Sequence, residues 1–131
     1  MVTSIRNTLR HVLIYWLPIL VYLLIIFIQS SYPSIDTPKG SHLDKLLHLA
    51  AYAVLGFLFA RAYGAAHWRG NVVLVVVLGI VSASFYGILD ELHQFYVPSR
   101  RADLLDVGAD ILGSIIGVCI YWGMYIKGRK A

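Results

Sequence analysis

The chain has 131 residues, of which 59% are hydrophobic and only 14% charged, with a mean hydropathy of +0.72. A soluble domain of this size carries roughly 25% charged residues, and disordered chains are poor in apolar residues, so the composition leaves a single-domain integral membrane protein over residues 1–131. The formal net charge of +4 comes from basic residues that flank apolar runs, a pattern of membrane orientation rather than of nucleic-acid binding.

Four apolar segments predict an all-α membrane bundle of four helices, over about residues 12–31, 44–63, 72–94 and 103–126. A hydrocarbon core of ~30 Å needs about 20 helical residues. The first segment has no charge between Arg10 and Asp36 and carries Pro18, which predicts a kink. A secretory signal peptide is the rival reading for residues 1–31. The apolar stretch is longer than the usual 7–15 residues of such a peptide and no A-x-A site follows, which favours a retained helix. The second segment is interrupted by His48, and Ser41-His42-Leu43-Asp44 fits a loose capping box at its start. The third is uncharged from Val72 to Leu89 and ends on Asp90, Glu91 and Gln94. Asp103 is placed to cap the fourth, with Asp106 in its first turn. Gly113 and Gly117 make a G-x-x-x-G pattern of close helix packing. Pro33, Pro38 and Gly40 mark the first connection, Gly64 and Gly70 the second, and Pro98 the third. Cys119 has no partner cysteine, so no disulfide forms within the chain.

The eleven basic residues divide unevenly. Arg6, Arg10, Arg61, Arg69, Lys127, Arg129 and Lys130 belong to one side of the membrane, and Lys39, Lys45, Arg100 and Arg101 to the other. The positive-inside rule predicts that both termini are cytoplasmic, and Trp16, Trp68 and Trp122 fall toward that same side. All seven acids, Asp36, Asp44, Asp90, Glu91, Asp103, Asp106 and Asp110, lie on the outer half. The orientation rule takes little account of acids, so their gathering needs another cause.

On helices these residues form stripes. Asp44, His48, Tyr52 and Gly56 recur every four positions, with Lys45 beside them. Gly87, Asp90 and Gln94 share a face, flanked by Glu91 and His93, and Ala83 continues that face inward. Asp103, Asp106, Asp110, Gly113 and Gly117 follow steps of three and four, spacings that stack on one side of a helix. Structural roles explain part of this set: caps for Asp44, Asp103 and Asp106, an interhelical bond for His48, packing for Tyr52 and the glycines. Asp90 and Glu91 resist that account, because a helix C-terminus disfavours negative charge. Asp110 resists it too, since an unpaired acid deep in a bilayer costs ~2.5–3.5 kcal/mol on the lenient scale. Lys45, His48, Arg100 and Arg101 are the available partners. One of the two arginines is expected to fold back to within about 4 Å of Asp90 or Glu91.

The run DELHQFYVPSRRADLLDVGADILGSIIG, preceded by DKLLHLAAY, resembles the VanZ-like family of small bacterial membrane proteins. Asp44, Lys45, His48 and Tyr52 match in the first block; Asp90, Glu91, Gln94, Pro98, Arg100, Asp106, Asp110, Gly113 and Gly117 match in the second. The likeness spans roughly residues 44–117, and the first helix matches only in position. Many family members carry Asn where this chain has Asp110. The resemblance implies a multi-pass protein of the bacterial cytoplasmic membrane and an association with low-level resistance to the glycopeptide teicoplanin.

Three function classes stay open on these residues. The first is a binding protein whose outer site takes a lipid-linked or anionic envelope headgroup. Its ligand-binding residues are Asp44, Lys45, His48, Tyr52, Asp90, Glu91, Gln94, Arg100, Asp106 and Asp110, with Lys45, His48 and Arg100 as donors. The second is an enzyme on a lipid-linked substrate, with His48, Glu91 or Asp90 as catalytic candidates and a divalent metal on Asp90, Glu91, Asp106 and Asp110. Carboxylates suit Mg²⁺, Ca²⁺ or Mn²⁺, and no zinc motif, phosphate loop or nucleophile elbow occurs. The third is a proton-coupled or lipid transporter. Four helices are few for a monomeric carrier, so this reading needs a homo-oligomer.

Overall fold

The computed structural model describes residues 2–32, 42–66, 71–98, 100 and 102–130. Ser41 of the expected capping box lies outside them, as do Pro33, Asp36, Pro38, Lys39, Gly40, Trp68, Arg69, Gly70 and Arg101. Four stretches are long and apolar enough to cross a membrane: Ile5–Ser31, His42–Ala65, Val72–Tyr96 and Leu104–Gly128. The first is built from α1 (Val2–His11), a π-helical stretch (Val12–Trp16) and α2 (Leu17–Ser31). The others are α3 (His42–Ala65), α4 (Val72–Tyr96) and α5 (Leu104–Lys130). The last three differ from the expected segments by at most four residues at either end, within the ordinary latitude of helix ends, whereas the first begins about ten residues before the expected start, at Val2.

Pro18 explains the π stretch. Its ring removes one N–H and crowds the carbonyl four residues back, Ile14. The chain widens just before it, with the Leu17 N–H donating to Val12 O. The Ile14 carbonyl takes a donor from another helix, Arg61 Nη1, at 3.2 Å. The predicted irregularity at Pro18 is therefore a local π insertion supported by α3.

The centre of the bundle is the pair α3 and α5, which run side by side in the same direction. Gly113 lies against the Leu49 backbone, Gly117 against the Ala53 backbone, and Gly56 against the Ser114 backbone. Any Cβ at these three places would meet the neighbouring main chain, so the glycines set the helix separation. α4 runs the opposite way and packs on both through small residues. Gly79 faces Ala60 and Val118, and Gly87 faces Asp110. The first span covers one side of this three-helix unit. Ile19, Ile26 and Ser30 are its buried residues. Two tyrosine hydroxyls hold it: Tyr22 donates to Ala51 O at 3.1 Å, and Tyr86 donates to Leu23 O at 2.7 Å.

This arrangement gives the bundle two chemically different ends. The described acids, Asp44, Asp90, Glu91, Asp103, Asp106 and Asp110, gather where α2 and α4 end and α3 and α5 begin. Arg6, Arg10 and Arg61 gather at the other end, with Lys127.

Candidate functional site at the acidic end

Asp103 and Asp106 open α5. The Asp103 side chain caps the helix, accepting the Leu105 N–H at 2.9 Å. Lys45 of α3 reaches across, donating to Asp103 Oδ2 at 2.8 Å and to Asp106 Oδ1 at 3.1 Å. That ammonium, with the Leu105 N–H, holds the Asp103 carboxyl below the usual carboxylate range. Glu91 of α4 joins the same corner, its Oε2 accepting the Asp103 N–H at 2.9 Å. The acid at the unfavourable C-terminal end of α4 thus sits on the N-terminus of α5, where negative charge is stabilised.

Deeper in, His48 Nδ1 donates to Asp110 Oδ1 at 3.0 Å. Asp110 is wholly buried. Its second oxygen lies over Gly87, where a Cβ would approach to 2.7 Å. The glycine in the α4 stripe is therefore what admits a carboxylate from α5. Asp90, Glu91 and Asp106 are each only 5% exposed, so four acids are buried together.

Asp90 faces the other way, toward the first span. Ser30 Oγ donates to its Oδ1, and Gln94 Nε2 donates to its Oδ2 at 3.0 Å and to Ser30 Oγ at 3.2 Å. The expected ion pair of Arg100 with Asp90 or Glu91 is not formed. The Arg100 guanidinium instead donates to Tyr32 O and Gln29 O, both at 3.0 Å. The cause is local. The last carbonyls of α2 have no partner within their helix and attract a cation, whereas Asp90 and Glu91 already accept other donors. Arg101, the alternative partner, lies outside the described residues.

Between α2, α3 and α4 lies a cavity of about 270 Å³. Asp44, His48, Tyr52, Asp90, Gln94 and Arg100 line it, together with Tyr22, Gln29 and Ser30 of the first span. Ile25, Ile26, Leu47 and Ala51 complete the wall, so the cavity is polar and apolar by turns. Six of the ten expected ligand-binding residues meet there. Lys45, Glu91, Asp106 and Asp110 lie in the network between α3, α4 and α5 instead. Tyr22, Gln29 and Ser30 are the polar lining residues that sequence reasoning missed. The signal for the last two was the polar run Gln29-Ser30-Ser31 ending a helix that otherwise looked apolar.

Several buried polar atoms have no hydrogen-bond partner among the described residues: Tyr52 Oη, Glu91 Oε1 and Asp110 Oδ2. The side chains placed to share a cation are Asp44, His48 and Asp106, whose ligand atoms lie within 4.8 Å of one another. The carboxylate set expected from sequence, Asp90, Glu91, Asp106 and Asp110, does not converge in this way among the described residues. Asp90 is turned toward α2, and the α3 residues take its place.

The sequence model of the VanZ/LLP1 family matches residues 6–126. The chain belongs to this family. The VanZ/LLP1 match takes in the first span, beyond the stretch of about residues 44–117 that the motifs covered. The wall of the cavity contributed by Tyr22, Gln29 and Ser30 is thus part of the VanZ/LLP1 region too. Comparison with curated proteins and with solved structures gave no match.

Proposed function

We propose that this VanZ-like membrane protein binds the polar headgroup of an envelope amphiphile, a lipid-linked cell-wall precursor, at the extracytoplasmic end of its bundle. The observation that carries this reading is the cavity between α2, α3 and α4. Its apolar side, Ile25, Ile26 and Leu47, suits a lipid tail, while Asp44, Asp90 and Gln94 suit the hydroxyl and amide groups of a saccharide or peptide. Lys45 is held by two carboxylates, so Arg100 and His48 are the donors left for an anionic group. Glycopeptide tolerance follows if sequestering or altering such a precursor changes drug access. Asp44→Asn and Arg100→Gln should abolish the change in teicoplanin susceptibility in a suitable host without lowering the monodisperse yield. Normal susceptibility at normal yield for both variants rejects the reading.

The topology it requires has both termini in the cytoplasm of a bacterium, across its inner membrane, as the basic residues indicate. A cysteine placed at Ser99 in a Cys119→Ser background should react with an impermeant thiol reagent in intact spheroplasts. Cys119 is itself exposed, hence its removal. Labelling only after lysis would reverse the orientation.

One observation favours a second reading, a metal-assisted enzyme on the same lipid-linked class. Asp44, His48 and Asp106 converge, and His48 is oriented through its other nitrogen by Asp110, as metal-binding histidines commonly are. A divalent ion there would polarise a phosphate or activate water. Stoichiometric metal in the purified protein, lost in His48→Gln, would favour this reading over simple binding.

A further inference from the structure

At the basic end a second cavity, of about 430 Å³, opens between the first span, α3 and α5. His11, Tyr15, Phe57, Arg61, Tyr121 and Tyr125 line it, all of them half-buried. Arg61 is held in one orientation. One nitrogen donates to the Ile14 carbonyl at 3.2 Å, and the guanidinium carbon lies 4.8 Å from the centre of the Tyr15 ring. A guanidinium has five N–H donors, and among the described residues no acidic side chain stands near this one. Asp44, the nearest acid on its own helix, is seventeen residues away, roughly 25 Å along the axis. No acid precedes Asp36 or follows Asp110, and none occurs between Asp44 and Asp90. The His11 ring, bonded to Ala65 O at 3.2 Å, forms the wall beside it.

A positive, aromatic-walled cavity at the end of a membrane-spanning bundle has a definite chemical complement. We propose that it is a binding site for an anionic phospholipid, with the phosphate on Arg61 and the first carbons of the acyl chains against Phe57 and the tyrosine rings. Arginine takes a phosphate with two parallel hydrogen bonds. The size is that of ordinary small-ligand pockets, about 300–1,000 Å³, and tyrosines are at home at headgroup depth. Pro18 is part of the device, because the carbonyl that its missing N–H leaves free is what anchors the guanidinium. The site is independent of the cavity at the acidic end and of the function proposed there.

The test uses the full chain in nanodiscs of phosphatidylcholine, with or without phosphatidylglycerol, read by thermal midpoint and by native mass spectrometry of retained lipid. Phosphatidylglycerol should raise the midpoint and be retained about tenfold more than phosphatidylcholine, as one charge-assisted bidentate contact would give. Arg61→Gln, which keeps a donor for Ile14 O, should lose that preference. Lys127→Gln, a cation outside the cavity, should keep it. Inorganic phosphate added to phosphatidylcholine discs should not reproduce the shift. Should Arg61→Gln fold poorly, Met124→Trp, which fills the cavity from another wall, should lose the preference in its place. An undiminished preference in Arg61→Gln or Met124→Trp, equal loss in Lys127→Gln, or a full effect of free phosphate would each overturn the proposal.

Discussion

Gly117→Val should prevent α3 and α5 from reaching their native separation and abolish monodisperse protein. A Cβ at Gly117 falls on the Ala53 carbonyl and comes within 2.8 Å of Phe57 N. One turn earlier, a Cβ at Gly113 falls on the Leu49 carbonyl and within 3.1 Å of Ala53 N. The obstacles are main-chain atoms of a helix, which cannot rotate aside as a side chain does. Overpacking a core costs about 1–3 kcal/mol and sometimes more, and a rigid obstacle puts these positions at or above the upper end. Gly123→Ala supplies the internal control. Nothing lies within 4 Å of a Cβ there, so alanine should be neutral or, through its better helix propensity, stabilising by up to about 1 kcal/mol. Monodisperse yield and thermal midpoint in one detergent compare both variants with the wild type. Equal midpoints for Gly117→Val and Gly123→Ala would show that α3 and α5 are not held by this seam.

Asp110→Leu should destabilise the protein by about 3–5 kcal/mol, because it breaks a buried pair and leaves His48 without its acceptor. Asp110→Asn should be much milder. Its carbonyl oxygen still accepts from His48 Nδ1, and its volume still fits over Gly87. That result would show the carboxylate to be exchangeable with the residue that the family resemblance leads one to expect, with shape and acceptor carrying the stability. Gly87→Ala meets the other carboxylate oxygen, Asp110 Oδ2, and should cost about 1–3 kcal/mol. Asp110 and Gly87 touch, so the two effects should not add. A double-mutant cycle on unfolding midpoints measures the coupling. A wild-type midpoint for Asp110→Leu would remove the pair from the account of stability.

Much of this fold was legible in the sequence. Four apolar stretches gave the bundle, because hydropathy reports transfer into lipid directly. The G-x-x-x-G spacing named the seam of α5, and the steps of three and four placed Asp103, Asp106 and Asp110 on the face that meets α3. Asp103 proved to be the cap that its position before an apolar run suggested. What escaped was the choice among partners. Arg100, Asp90 and Glu91 stand close in sequence, and charge alone pairs them. The actual partners, the carbonyls of α2, the hydroxyl of Ser30 and the N–H of Asp103, include backbone groups freed by helix ends, and those depend on how distant segments dock. The cavity was hidden for the same reason: one of its walls belongs to a helix whose polar residues are confined to its last turn.

The side-chain partners of the last turn of the first span lie far downstream in the chain. Ser30 awaits Asp90, sixty residues on, and the Gln29 carbonyl awaits Arg100, seventy-one residues on. At a synthesis rate of about 5–20 residues per second, the first of these intervals lasts roughly 3–12 s. During that time this last turn lies in the bilayer without the Asp90 carboxylate that holds it. α3 and α5 are still to be joined by their glycines, and the groove that receives the first span does not yet exist. Its place in the bilayer then rests on its own apolar length and on Arg6 and Arg10 at its start. Its last turn is completed only once α4 has been made, although Tyr22 and Ile14 can meet α3 earlier.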